Sequence, residues 1–246
     1  MKKFLLIVGL ALGLSACVNT QDMNAKAESA YSQVKAEAAQ KGWLDTTSKT
    51  ARRIHKVFNT MKPYAERENT TGIPFNWEVI VLRSDDLNAW AMPGGKMGFS
   101  SGLIDRLSLS DDEIATVMGH EMVHALKEHS KISTNRSMVV DTLFGVTQAV
   151  LGDINVGGYS ALGSLKTFGV DNPFSRSDES EADELGLYLM AKSGYNPQAA
   201  SQLWTKMQKA TGGSGGFFTT HPSDENRQEN IQKWMPQAMQ YYQARK

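Results

Sequence analysis

Cysteine is all but missing from this chain: Cys17 is the only one among 246 residues. An internal disulfide is therefore excluded, whatever the redox state of the compartment. Charge of one sign is lacking too, because 26 Lys and Arg balance 26 Asp and Glu, and no net field steers the protein toward nucleic acid or an anionic partner. Beyond the N-terminus no apolar run approaches the roughly 20 residues a membrane span needs. Val139 to Leu165 comes nearest, but Asp141 and Asp153 interrupt it, so it reads as a packed helix with a mobile loop, a candidate lid. No internal repeat occurs. What remains, 41% hydrophobic and 21% charged residues, is the profile of a globular protein with a full core.

The first 16 residues stand apart from that profile. Lys2-Lys3 followed by the apolar stretch Phe4 to Leu14 reads as an export signal, and Leu14-Ser15-Ala16-Cys17 resembles the bacterial lipobox. On this reading 1–16 is a signal peptide, Cys17 is lipidated, and 17–44 is a lipid-anchored tether, since Gln21 to Gly42 is rich in Ala, Lys, Glu and Gln and can bury little. Val18 after the cysteine, by resemblance to enterobacterial lipoproteins, favours the outer membrane and a periplasmic location.

The folded domain is expected over 45–246. Ile54, Val57, Phe58 and Met61 form the stripe of a core-packed helix over about 46–68. Trp77 to Leu82 predicts a strand. Asn88–Met92 and Lys96–Ser100, joined by Pro93-Gly94-Gly95, predict a hairpin. Ser110-Asp111-Asp112-Glu113 is a capping box opening a helix to about Lys131. Further helices are expected near 176–193, 197–210 with Asn196 as N-cap, and 224–245, with Gly212 to Gly216 as a flexible hinge.

Inside the capped helix lies His120-Glu121-Met122-Val123-His124, the HExxH pattern. Positions four apart on a helix differ by about 40°, so both imidazoles leave one face and converge on one ion, while Glu121 sits about 100° round, close enough to touch an activated water. A catalytic zinc takes three protein ligands. In an unbroken helix His129 lies about 180° from His120, which assigns it to the helix surface or to packing behind the site. His55, among Arg52, Arg53 and Lys56, reads as structural. The better third ligand is Glu179, with Asp183 one turn on to orient a ligand imidazole; Glu181 and Glu184 fall on other faces and read as solvated charge.

These motifs resemble the HtpX and CAAX-prenyl-protease family of gluzincin endopeptidases, in particular its periplasmic lipoprotein branch typified by LoiP and BepA. The likeness covers about Ile73 to Arg227 and rests on Asn88 to Gly95, Gly119 to His124, Ser175 to Asp183, and His221-Pro222 with Arg227. It implies an α+β, mostly helical zincin-type domain with a small antiparallel sheet. It further implies one Zn²⁺ at His120, His124 and Glu179, Glu121 as catalytic base, Asp183 as accessory acid and Arg227 as a supporting cation. Asn88-Ala89-Trp90 resembles the edge strand on which gluzincins bind peptide backbone, the alternative being a plain core strand with Trp90 as packing.

His221 follows the glycine hinge and has three readings: an oxyanion donor, a fourth zinc ligand masking the site, or a structural residue. The expected function is hydrolysis of misfolded or unassembled envelope proteins. The alternative is a lipoprotein chaperone or assembly factor, working with envelope assembly machinery, whose zinc site is silent. Substrates would be polypeptides, with no nucleic acid involved.

Overall fold

The computed structural model describes residues 17–143, 174–212, 217, 221 and 226–245, with backbone alone at 138–143. The expected signal peptide, nearly all of the candidate lid, the core of the glycine hinge and Pro222 lie outside the described residues.

Helix α1 (Thr20–Gln40) begins at Asn19, whose side chain accepts from the Asp22 amide. The stretch expected to be a tether that buries little is thus a packed helix. Met23, Ala27, Tyr31, Val34 and Ala38 lie against Ile80, Leu82, Trp90 and Met92. Half of its buried positions, Ala27, Ala30 and Ala38, are alanine, small enough to let the helix approach the sheet closely and too weakly apolar to stand out in the sequence. Folded structure therefore starts well before residue 45. Helix α2 (Lys49–Glu68) opens on Ser48 and buries Ile54, Val57, Phe58 and Met61 as their spacing requires.

Strands β1 (Glu78–Leu82), β2 (Ala89–Met92) and β3 (Lys96–Ser100) form one sheet in the order β1-β3-β2. The hairpin is antiparallel, pairing Trp90 with Gly98, and turns through Gly94 and Gly95 at φ 75° and 83°, left-handed values that glycine adopts without strain. β1 joins β3 in parallel, Ile80 opposite Gly98, so the sheet is mixed where a purely antiparallel one was expected. β3, last in the chain, takes the central place, which leaves β2 on an edge. Alternation sends Val79, Val81, Ala89, Ala91, Met97 and Phe99 into the main core, while Ile80, Leu82, Trp90 and Met92 face α1.

Helix α3 (Ser101–Leu107) leads to α4 (Asp111–Leu126), which opens on the expected capping box: Ser110 Oγ accepts from the Glu113 amide and Glu113 accepts from the Ser110 amide. Every residue of α4 from Glu113 to Leu126 is buried, which makes it the central post of the domain. α4 stops at Leu126, short of the expected Lys131. Glu128 takes φ 55°, and a new helix, α5 (His129–Leu143), sets off in another direction. Helix α6 (Arg176–Lys192) has its own capping box from Ser175 and Asp178. α7 (Ala199–Thr211) starts two residues later than expected, with Asn196 Oδ1 accepting from the Gln198 amide, and α8 (Arg227–Gln243) closes the domain. Among the described residues no helix is long and apolar enough to cross a membrane.

Candidate active site and metal centre

The site forms where α4 crosses α6 with backbone nearly touching backbone. A Cβ on Gly119 would lie 2.6 Å from the Gly186 carbonyl oxygen, and one on Gly186 would lie 2.7 Å from the His120 amide nitrogen. Two glycines therefore let the helices close until side chains one and two turns away meet. From α4 come His120, Glu121 and His124; from α6 come Glu179 and Asp183; His221 and Arg227 complete the group, all of them buried.

His120 Nε2 and His124 Nε2 stand 3.0 Å apart. Glu179 Oε2 is 3.5 Å from the first and Glu179 Oε1 is 3.4 Å from the second. His221 Nδ1 is 3.2 Å from His120 Nε2 and 3.1 Å from Glu179 Oε1. Donor atoms of His120, His124, Glu179 and His221 all lie within 4.8 Å of one another.

Proton assignment shows what this cluster suits. Asp183 Oδ1 lies 3.0 Å from His120 Nδ1 and its Oδ2 accepts from Arg227 Nε at 2.6 Å, so His120 carries its hydrogen on Nδ1 and aims a bare lone pair inward from Nε2. The inward groups are then the His120 lone pair and the Glu179 carboxylate, both acceptors, with ring nitrogens of His124 and His221 beside them. A divalent cation satisfies such a set, and two His with one Glu is a catalytic zinc set.

Glu179 is fully buried. Burial alone would raise its pKa, but His221, His124 and His120 around it prevail and hold the carboxylate far below the usual range. Arg227 Nη2 donates to Glu179 Oε2 at 3.1 Å, so one guanidinium bridges Glu179 and Asp183, and it rests on the Trp204 ring at 4.0 Å. His124 is held neutral by burial. Glu121 is pushed up to about 8, chiefly by burial and then by the charge of Glu179, while His120 and the Ala91 main-chain amide pull it down. Among the described residues its Oε1 has no hydrogen-bond partner, though His221 Nε2 lies 3.4 Å away. Phe174 stacks on His124 and Phe217 on His221, each at 4.1 Å, fencing two imidazoles with apolar rings.

The structure thus brings His120, Glu121, His124, Glu179, Asp183, His221 and Arg227 together. Asn88, Ala89 and Trp90 are placed differently from one another. The Ser100 amide donates to the Asn88 carbonyl at 3.0 Å, so Asn88 and Trp90 turn their main-chain groups toward β3. The outward-facing peptide groups of the edge are those of Ala89 and Ala91. The Trp90 side chain lies on the far face, edge-on to Tyr31 of α1. His55, half buried on α2, stays outside the cluster.

Of the two readings of His129, the structure takes packing behind the site: it is 1% exposed and its Nδ1 is 2.8 Å from His124 Nδ1. Glu181, read as solvated charge, belongs here as well. Glu181 reaches His129 Nε2 at 3.2 Å. The available signal was the end of the apolar stripe at Leu126, followed by five polar residues, which marks a helix break. Cys17 is exposed at the start of the described chain.

Several known proteins are similar to this chain in sequence. Mitochondrial metalloendopeptidase OMA1 of Schizosaccharomyces pombe is 36% identical over 165 residues, covering 66% of this chain and 48% of the relative. Metalloprotease YcaL and metalloprotease LoiP of Escherichia coli are 29% and 28% identical, covering 75% and 76% of this chain and 70% and 71% of those proteins. The chain spans a third to a half of four OMA1 relatives, at 48%, 33%, 49% and 33% of their length. The family model described as Peptidase family M48 matches residues 48–235, from the N-cap of α2 into α8, and the chain accordingly belongs to peptidase family M48.

Proposed function

We propose that this protein is a zinc-dependent metalloendopeptidase with one Zn²⁺ per chain, held by His120, His124 and Glu179, and with Glu121 as general base. The observation that carries the reading is the convergence of two imidazole lone pairs and one carboxylate beside a buried glutamate that belongs to none of them. Zinc in that position supplies Lewis acidity toward water and the scissile carbonyl. A dication among the ligands favours the ionised form of Glu121, which takes the proton of the attacking water and later delivers it to the leaving amine nitrogen. Asp183, steadied by Arg227, holds the His120 tautomer. The outward peptide groups of Ala89 and the Ala91 carbonyl offer main-chain hydrogen bonds to an extended substrate, a mode with little demand on sequence, while the Ala91 amide is directed at Glu121.

Support for an endopeptidase comes from the OMA1 relatives, and support for a bacterial setting from YcaL and LoiP. Together with the lipobox-like Leu14 to Cys17, these favour an HtpX-like, LoiP-like lipoprotein anchored through Cys17 on the periplasmic side, outer membrane preferred, acting on misfolded or unassembled envelope polypeptides.

A second reading draws on His221, whose Nδ1 closes the ligand set as a fourth donor. A closed site is a silent one, which suits a chaperone or assembly factor whose proteolysis waits until His221 withdraws.

Casein cleavage with and without chelator separates these readings. The parent or its His221→Ala variant is expected to cleave casein in a chelator-sensitive way, and Glu121→Gln to keep zinc while losing about a hundred- to ten-thousandfold in rate. A His221→Ala protein that binds zinc and cleaves nothing would favour the chaperone.

A further inference from the structure

His120 and His124 are held by different devices. Behind His120 stands a carboxylate, Asp183. Behind His124 stands another imidazole, His129, and only behind that a carboxylate, Glu181, which also pairs with Lys127 at 3.2 Å. An unbroken α4 would carry His129 away from the site. The left-handed residue Glu128, φ 55°, breaks the helix immediately before His129 and turns its ring back against His124, with ring centroids 4.9 Å apart. Side chains longer than Asn or Asp adopt that conformation rarely, so the break is a constraint that the surroundings maintain.

The protons along this chain have one consistent arrangement. Glu181, a carboxylate, only accepts, so His129 Nε2 carries a hydrogen and donates to it. His129 Nδ1 is then a lone pair and accepts the hydrogen of His124 Nδ1, and His124 Nε2 is left bare toward His120 and Glu179. The opposite tautomer of His124 would point a hydrogen into the cluster and remove it as a ligand. Helix α5, which carries His129, is fastened elsewhere: Lys131 Nζ donates to Thr20 Oγ1 at 2.8 Å, and Asn135 exchanges hydrogen bonds with the Val18 main chain at 2.8 and 3.1 Å.

We propose that His129 is a positioning residue for the metal: through Glu181 it fixes the tautomer and ring plane of His124, so that the two zinc imidazoles are oriented by separate relays. The inference rests on the metal site proposed above and adds the residues that govern how tightly that site holds its ion.

The test is zinc affinity of the full chain, measured by competition with a chromophoric chelator, together with the visible spectrum of the Co²⁺-loaded protein. His129→Phe keeps a ring but removes the acceptor, and is expected to weaken zinc binding by about ten- to hundredfold and to shift the Co²⁺ bands. His129→Asn places an acceptor oxygen on the same Cγ, and is expected to recover most of the affinity and the parent spectrum. Glu181→Ala, at a half-exposed position, is expected to weaken zinc by at least about threefold. Equal affinity in parent and His129→Phe, an Asn variant no tighter than the Phe variant, or an unaffected Glu181→Ala protein would each overturn the proposal. A parent that takes up no zinc would instead sink the metal site itself, which keeps the two failures apart.

Discussion

The two sides of the sheet bury their residues for different reasons. On the outer side α1 covers Ile80, Leu82, Trp90 and Met92 with alanine, methionine, valine and tyrosine, a contact made largely of apolar surface. On the inner side, at the crossing of α4 and α6, His120, Glu121, His124, Glu179, Asp183, His221 and Arg227 are just as deeply buried. The first arrangement stabilises by removing apolar area from water. The second is expensive unless each buried charge finds a partner, and it survives because Arg227 answers two carboxylates and each zinc-facing imidazole has an orienting neighbour. Stability and chemistry are therefore separable in this molecule, and substitutions on the two sides should read out differently.

The largest expected effect concerns the metal-free protein. Folded Glu121 keeps its proton up to about pH 8, whereas an ordinary glutamate in the unfolded chain releases it near 4.5. Between those values unfolding releases a proton, so stability falls as pH rises through that window and levels off above it. Urea melts of the metal-free parent should lose several kcal/mol between pH 4.5 and 8 from this group alone, and Glu121→Gln should flatten that slope. An unchanged slope would mean that Glu121 is not buried as described.

Arg227→Met comes next. It leaves Glu179 and Asp183 without their shared cation, and a loss of about 3–5 kcal/mol at neutral pH, with weakened zinc binding, is expected. Met23→Ala, on the outer side, should cost about 2–3 kcal/mol in the same melts. Its zinc affinity per folded molecule should stay at the parent value, and a matching loss of zinc would erase the distinction between the two sides.

Gly186→Ala is the smallest and most local: a methyl forced against the His120 backbone should cost about 1–3 kcal/mol and also loosen zinc, because it parts the helices that carry the ligands. Normal zinc affinity in that variant would show that the close crossing serves packing alone.

Much of this arrangement was legible in the residues themselves. The capping box at Ser110, the hairpin through Gly94-Gly95, the stripe of α2 and the HExxH turn are local signals, and each reports a local structure. What escaped is non-local. An alanine stripe in α1 acquires meaning only from the sheet it meets. The parallel place of β1 depends on β3, which comes later in the chain. The break at Glu128 has no glycine or proline to announce it, and it makes sense only with His129 folded back on His124. Glu181 was read from helical phase as solvated charge, correctly so for its half-exposed outer edge, but the phase says nothing of an imidazole arriving from another helix.

The central claim is tested most directly by metal content: elemental analysis of the purified full chain, beside its His124→Ala and Glu179→Ala variants. One zinc per parent chain and little or none in either variant is the expected result. A parent without bound metal, or variants that keep a full equivalent of zinc, would contradict it.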